Sequence, residues 1–273
     1  MIQAIISPDN KQIKFAAALR LKKYRDETGM FLLEGIHLLE AALAALWHIE
    51  HVFVCDGQAE LTQVAKLVET VTAKGIPIYK ISPALFKKIA ETDAPQGIAA
   101  VCRQQRRELS EMNRDLFIKH NLPWVVLDAV QDPGNVGTIV RNADAAGVAG
   151  LILTPGCADL YAGKTVRATM GSLFHIPTYC ATVRQCLDFF SLLGTPVYIA
   201  DAVSAENYLK IDWTKACAVV FGNEGAGVSE SFRIAHTRAI AIPMVGKAES
   251  LNVASATAVI LFEAARQRGL SLS

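Results

Sequence analysis

Ala218-Val219-Val220-Phe221-Gly222-Asn223-Glu224-Gly225-Ala226-Gly227, then Ala239-Ile240-Ala241-Ile242-Pro243-Met244, then Ser250-Leu251-Asn252-Val253-Ala254-Ser255, is the stretch whose reading decides the fold. Its two apolar runs are continuous and too short for helices, so they read as buried parallel strands. Each run ends in a loop of small and polar residues, and a helical stretch from Ala256 to Arg268 follows. In an open α/β sheet, ligands bind outside the carboxyl ends of the strands, where glycine lets backbone approach and helix N-termini offer free N–H groups. Two such loops so close in sequence predict one shared site.

Working outward, 273 residues admit one large or two ordinary domains, and a 52% hydrophobic content supplies real cores. A formal charge of +1 excludes a nucleic-acid binder that works by overall basicity, though not one with a local basic face. The six cysteines contain no Cys-x-x-Cys pair, and the histidines have no ligand-like spacing, so no metal is expected. Scattered thiols of this kind predict a reduced, cytoplasmic protein. Met1 to Pro8 has no basic start and a broken apolar run, unlike a signal peptide, and no apolar run approaches the roughly 20 residues of a membrane span.

Strand and helix patterns alternate along the first half. One helix is expected over 9 to 25, around a stripe of Ile13, Phe15, Ala17, Ala18 and Leu21 and with Lys22, Lys23 and Arg25 near its end. Those cations read either as a solvated helix face or as a phosphate-facing patch. Strands follow at Met30 to Glu34, Ile49 to Cys55, Ile76 to Tyr79 and Ile98 to Cys102, with helices between them. A polar, arginine-opened stretch from Arg103 to Asn121, with a short helix before Pro123, marks a boundary. Trp124 restarts the alternation: a strand at Val125 to Leu127, the loop Asp132-Pro133-Gly134-Asn135-Val136-Gly137, and a helix carrying Arg141 early in its length. That is where this architecture places an anion-gripping or catalytic residue.

Other readings compete for these residues. Gly163-Lys164-Thr165 suggests a phosphate loop, but position 158 holds Ala158 where the motif needs its first glycine. Gly222-x-x-Gly225-x-Gly227 has the dinucleotide spacing reversed and lies near the end of the chain. No Gly-x-Ser-x-Gly elbow is present. Glu224 can cap the helix after it, and Ser250 or Asn252 the last helix. Capping alone does not account for all three together with Arg141.

Three ordered stretches carry a resemblance: Asp132 to Ala143, Phe221 to Gly227, and Ile242-Pro243-Met244 through Ser250 to Ala256. They look like the motifs of the SpoU (TrmH-type) RNA 2'-O-ribose methyltransferases. Phe31-Leu32-Leu33-Glu34-Gly35 and Pro95-Gln96-Gly97-Ile98 are similar to that family's ribosomal-protein-like RNA-binding domain. The resemblance implies an RNA-recognition domain over 1–105, a linker over 106–121, and an α/β parallel-sheet domain over 122–273 with a deep trefoil knot. It implies S-adenosylmethionine as methyl donor, ribosomal RNA ahead of tRNA as substrate, and a homodimer. A non-catalytic RNA-binding assembly factor on the same fold is the alternative. By the same resemblance Gly222, Glu224, Ile242, Met244, Leu251 and Asn252 hold the donor, and Asn135, Arg141, Glu224, Ser250 and Asn252 line the reaction centre. A guanidinium does not lose its proton in proteins, so Arg141 suits a phosphate clamp better than a general base. Glu224 would hold Arg141 or Asn135 in place. Lys22, Lys23, Arg25, Arg103, Arg106, Arg107, Lys164 and Arg167 would form a local RNA track.

Overall fold

The computed structural model describes residues 2–58, 62–109, 112, 122–234 and 236–269. The short helix expected before Pro123 lies outside them. Two compact units divide the chain: Met1–Gln105 with Asp159–Phe174, and Arg106–Ala158 with His175–Ser273. Among the described residues no helix is long and apolar enough to cross a membrane.

In the first unit the elements run β1 (Ile2–Ile5), α1 (Lys11–Ala18), α2 (Lys22–Thr28), β2 (Met30–Glu34), α3 (Ile36–Ala44), β3 (Ile49–Cys55), α4 (Thr62–Ala73), β4 (Ile78–Ile81), α5 (Pro83–Ile89) and β5 (Ile98–Arg103). The sheet order is β1-β4-β3-β5-β2, with β5 antiparallel to both its neighbours and the other pairs parallel. β1 is a short edge strand with only Ile5 buried, which leaves no alternation for sequence patterning to detect. The two stretches similar to an RNA-binding domain meet here. Glu34, buried at the end of β2, accepts hydrogen bonds from the Glu91 N–H and the Thr92 hydroxyl, while Gln96 Oε1 accepts one from the Ile36 N–H at 2.9 Å.

The single helix expected over 9 to 25 is two. Asn10 caps α1 by accepting from Gln12 N at 2.8 Å, and the chain turns extended at Leu21 before α2. The buried Arg25 holds that break: its Nη1 donates to Leu19 O and Arg20 O, both at 2.7 Å, satisfying carbonyls that α1 leaves unpaired at its end.

The second unit begins with β6 (Trp124–Asp128), α6 (Pro133–Ala145) and β7 (Gly150–Leu153). The chain then contributes Asp159–Phe174, with α7 (Gly163–Ala168), to the first unit, and returns for β8 (Thr178–Cys180), α8 (Val183–Leu192), β9 (Val197–Ala200), β10 (Ala218–Gly222), α9 (Glu230–Arg233), β11 (Thr237–Ile240) and α10 (Val253–Gln267). All six strands are parallel, in the order β11-β9-β10-β6-β7-β8. The continuous apolar runs are what a parallel sheet covered on both faces requires. Val125, Val126, Leu127, Val219 and Val220 are fully buried. α8 starts at a capping box, Thr182 with Gln185, and buries Cys186 and Phe190. β11 ends at Ile240, so Ile242 and Met244 leave the sheet rather than extend it.

The excursion Asp159–Phe174 is bound into the first unit by polar and aromatic contacts. Asp159 Oδ2 accepts from Arg25 Nε at 3.0 Å and Nη2 at 2.7 Å. The Tyr161 ring packs 4.9 Å from that of Phe31, and its hydroxyl both accepts from Gln105 N and donates to Gln105 O. Arg167 pairs with Glu91 at 3.1 Å, and Phe174 meets Trp47 edge-on at 5.1 Å. Gln104, expected in a hydrated linker, is instead buried and donates to Arg25 O and Met30 O.

Candidate active site

The site is built at the carboxyl ends of parallel strands. β10 pairs with β6 so that Gly222 lies opposite Asp128, and the loops leaving the two strands are therefore neighbours. Asp128 is buried, accepting from Ser229 N at 2.7 Å and from the Thr154 hydroxyl at 3.2 Å. Gly222 must be glycine: a Cβ there would stand 2.2 Å from the Gly227 carbonyl carbon. Gly227 has φ +70, a conformation side chains resist. Between them Asn223 and Gly227 exchange backbone hydrogen bonds at 2.9 Å. Asn223 Oδ1 accepts from Gly225 N and Ala226 N, and its Nδ2 donates to Ala129 O, fastening this tight loop to the end of β6.

That fastening aims Glu224 at the start of α6. Its carboxylate accepts from Gln131 N and Asp132 N, both at 3.1 Å, and from Asn135 Nδ2 at 2.9 Å. Asp132 caps α6 by accepting from Asn135 N, with Pro133 at the first helical position. Asn135 Oδ1 in turn accepts from Asn252 Nδ2 at 3.0 Å, and Asn252 Oδ1 caps α10 by accepting from Ala254 N and Ser255 N. A continuous polar relay thus runs from the N-terminus of α6 through Glu224, Asn135 and Asn252 to the N-terminus of α10. Each amide in it has one orientation, because each oxygen accepts and each nitrogen donates. Burial pushes the Glu224 carboxyl up, but hydrogen bonds from Asn135, Gln131 and Asp132 outweigh it and hold the group below its ordinary value. Glu224 is therefore ionised at neutral pH. It does not cap α9, whose N-cap is Ser229.

Beside the relay lies a cavity of about 490 Å³. Gly222, Glu224, Ile242, Met244, Ser250, Leu251 and Asn252 all line it, so it gathers every residue the sequence assigned to the donor, and Ser250 as well. Phe221, Val228, Ile240 and Ile260 make much of its wall apolar. The sequence reading passed over Asp201 and Arg233, which also line it; Asp201 directly follows β9, the kind of strand-end position that marked the other loops.

Arg141 is not part of the relay. Its side chain is exposed and makes no hydrogen bond or ion pair among the described residues, whereas the side chain of Asn135, earlier on the same helix, is held by Glu224. Glu224 therefore positions Asn135 and leaves Arg141 free. Ser250 likewise makes no hydrogen bond among the described residues. The cations of the expected RNA track separate. Arg25, at 4% exposure with its guanidinium engaged by Asp159 and two carbonyls, is a correction: a phosphate on the surface cannot reach it. Arg167 is half-buried on Glu91. Lys22 and Lys23 are exposed in pairs with Asp26 and Glu27, and Arg103, Arg106 and Lys164 are exposed, with Arg107 half-buried. No group of three or more His, Cys, Asp and Glu side chains is placed to hold a metal among the described residues.

Residues 123–262 match the model of the SpoU rRNA Methylase family, and residues 10–100 match that of the MRM3-like substrate binding domain. A 23S rRNA (guanosine(2553)-2'-O)-methyltransferase, RlmP of Bacillus subtilis, is 36% identical over 96% of this chain and 98% of its own length. A 23S rRNA (uridine(2479)-2'-O)-methyltransferase of Streptomyces viridochromogenes is 32% identical, covering 93% of this chain and 89% of its own. The crystal structure of an AdoMet-bound rRNA methyltransferase from Sinorhizobium meliloti superposes with a TM-score of 0.86 at 34% identity, over 99% of both chains. With the strand-end cavity, the glycine-bound loop and the similarity along nearly the whole sequence all in agreement, the chain belongs to the SpoU rRNA methylase family.

Proposed function

We propose that this chain transfers a methyl group from S-adenosylmethionine to a ribose 2'-hydroxyl of ribosomal RNA. The observation that carries the reading is the Glu224–Asn135–Asn252 relay at the edge of the strand-end cavity, in a chain of this family. A cavity of about 490 Å³ lined by apolar side chains together with polar and charged ones has the size and chemistry for a nucleoside with a short charged tail. Gly222, Ile242, Met244 and Leu251 would hold the donor there. When bound, the donor supplies a methyl group already activated on sulfonium sulfur.

The protein's own part is placement. The relay locks the Asn135 and Asn252 amides, leaving on each nitrogen a second N–H to orient the incoming ribose, with Ser250 beside them. Arg141, whose side chain has no partner among the described residues, clamps the neighbouring phosphate and stabilises charge developing on the attacking oxygen. Glu224 acts as a positioning residue. Since its carboxylate already accepts three hydrogen bonds, it is poorly suited to take the hydroxyl proton.

Further parts of the reading follow from the family. The first unit recognises the RNA, supported by its match to a substrate-binding domain and by exposed Lys22, Lys23, Arg103 and Lys164. Two copies act together, supported by the exposed apolar residues Val245, Leu251 and Phe262 and by an Arg141 unused within its own relay. A trefoil knot would be formed around β10, β11 and α10, the elements that bear the motifs. Six free cysteines suit a reducing cytoplasm.

The test is tritium transfer from labelled donor to unmodified rRNA, assembled ribosomal subunits and tRNA, with Arg141→Ala alongside. Alkali-resistant label in rRNA is expected, with a loss of about 10²–10³-fold in the variant while donor binding is kept. Label in tRNA alone would move the substrate class. No label in any pool, with donor bound, would favour the assembly-factor reading.

A further inference from the structure

The cavity wall carries one pair of opposite charges that the methyl-transfer relay does not use. Asp201 is anchored through its N–H to Ile240 O at 2.9 Å. Its Oδ1 accepts from Val203 N at 3.2 Å, and its Oδ2 accepts from Arg233 Nη1 at 2.5 Å. Arg233 Nε donates to Val228 O at 3.0 Å. The guanidinium is therefore held on two sides, at Nε by Val228 O and at Nη1 by Asp201. Its Nη2 has no hydrogen-bond partner among the described residues and lies 3.7 Å from the point a Cβ on Gly227 would occupy, so glycine there leaves room beside it. The Asp201 side chain is only 12% exposed and that of Arg233 36%.

A half-buried ion pair on a cavity wall is costly to desolvate and contributes little by itself to stability. Three N–H donors are left over, one on Nη1 and two on Nη2, and the end of the fork that these two nitrogens form is the arrangement that binds a carboxylate. We propose that Arg233 takes the α-carboxylate of the donor's amino-acid tail, with Asp201 as the positioning residue that holds the guanidinium at the cavity. The inference rests on the reading that this cavity holds the donor. It makes the pair a specificity determinant: a nucleoside thioether with an amino-acid tail is preferred over one without.

Two ligands separate the tail from the base. S-adenosylhomocysteine has the α-carboxylate, and 5'-methylthioadenosine lacks the amino acid. Calorimetric titration of the full chain should show Arg233→Gln weakening S-adenosylhomocysteine by about 10- to 100-fold, as expected for a charge-assisted hydrogen bond, with 5'-methylthioadenosine changed by less than about twofold. Asp201→Asn, which keeps the shape, should produce the same selective loss at smaller size, and Arg233→Lys an intermediate one. Parallel weakening of both ligands, or an unchanged preference in Arg233→Gln and Asp201→Asn, overturns the assignment while leaving the cavity as the donor site. Failure of the unsubstituted protein to bind either ligand overturns both readings. Should Arg233→Gln melt early, the ligand preference of Asp201→Asn decides.

Discussion

Arg25 and Arg141 were both candidates to meet RNA, and they occupy opposite surroundings. Arg25 is interior to the first unit, with every edge of its guanidinium used: Asp159 on one side, the Leu19 and Arg20 carbonyls on the other. Arg141 stands on the outer face of α6 with none of its donors committed among the described residues. The difference teaches that an arginine's use is set by what the fold brings to it. Asp159 lies 134 residues away in sequence, and no local pattern around Arg25 announces it.

The comparison breaks most visibly through Asp159. Asp159→Ala leaves a buried guanidinium without its counter-charge and should cost about 3–5 kcal/mol, read as a lower urea midpoint, while Arg141→Ala should shift stability by less than about 0.5 kcal/mol. An equal, small effect of both would erase the distinction drawn between them.

Acid should find the first unit next. His51 is buried in β3 between the rings of Phe53 and Tyr79, and its Nε2 has no hydrogen-bond partner among the described residues. Burial lowers its pKa to about 4, with a small opposing pull from Glu50. The folded state thus refuses a proton that the unfolded chain accepts below about pH 6.5. Stability is complete above that pH and declines toward pH 4, by about 3 kcal/mol. Denaturant titrations across this window should flatten in His51→Leu.

Smaller effects sharpen the contrast from the side of the relay. Glu224→Gln keeps the shape but replaces one accepting oxygen with an NH₂ donor, so at least one of the three accepted hydrogen bonds is lost. It should slow methyl transfer by roughly 10- to 30-fold, equivalent to about 1.4–2 kcal/mol, with KM for RNA little changed. Because the Glu224 pKa is held down in the folded state, its stabilising contribution is present at neutral pH and disappears only as pH falls through that lowered value. Acid unfolding of Glu224→Gln should lack this component. Least of all, Lys22→Ala with Lys23→Ala should change stability by under about 0.5 kcal/mol, as exposed pairs do. In filter binding over a salt series, each lysine that touches a phosphate should reduce the log–log salt slope by about one.

Much of the site was legible because strand ends in a parallel sheet are visible as the edges of apolar runs. Those edges placed the loops, while the roles of Gly222, Glu224, Ile242, Leu251 and Asn252 came from the family resemblance; the structure brings all five to one cavity. Asp201 follows such an edge too, but without a glycine or a second polar residue beside it to draw attention. Arg233 reaches the cavity from a helix of a single turn, where no periodicity exists to be read. The expected single helix over 9 to 25 failed for a tertiary reason: the carbonyls that a continuing helix would pair internally are taken by Arg25. The same long-range packing claims Tyr161 and Asp159 for the first unit, although the strands on either side of them belong to the second.

That excursion has a consequence for synthesis. A ribosome releases this chain from its N-terminus, so all five strands of the first sheet emerge well before Asp159 and Tyr161 do. At 5–20 residues per second the wait is on the order of several seconds. During that time Arg25 lacks its counter-charge and Phe31 its covering ring, and the first unit becomes complete only once β6 and β7, the first two strands of the second unit, have been made. The two halves are thus tied in time as well as in sequence, and a nascent chain truncated before Phe174 would carry an unfinished first unit rather than a finished domain.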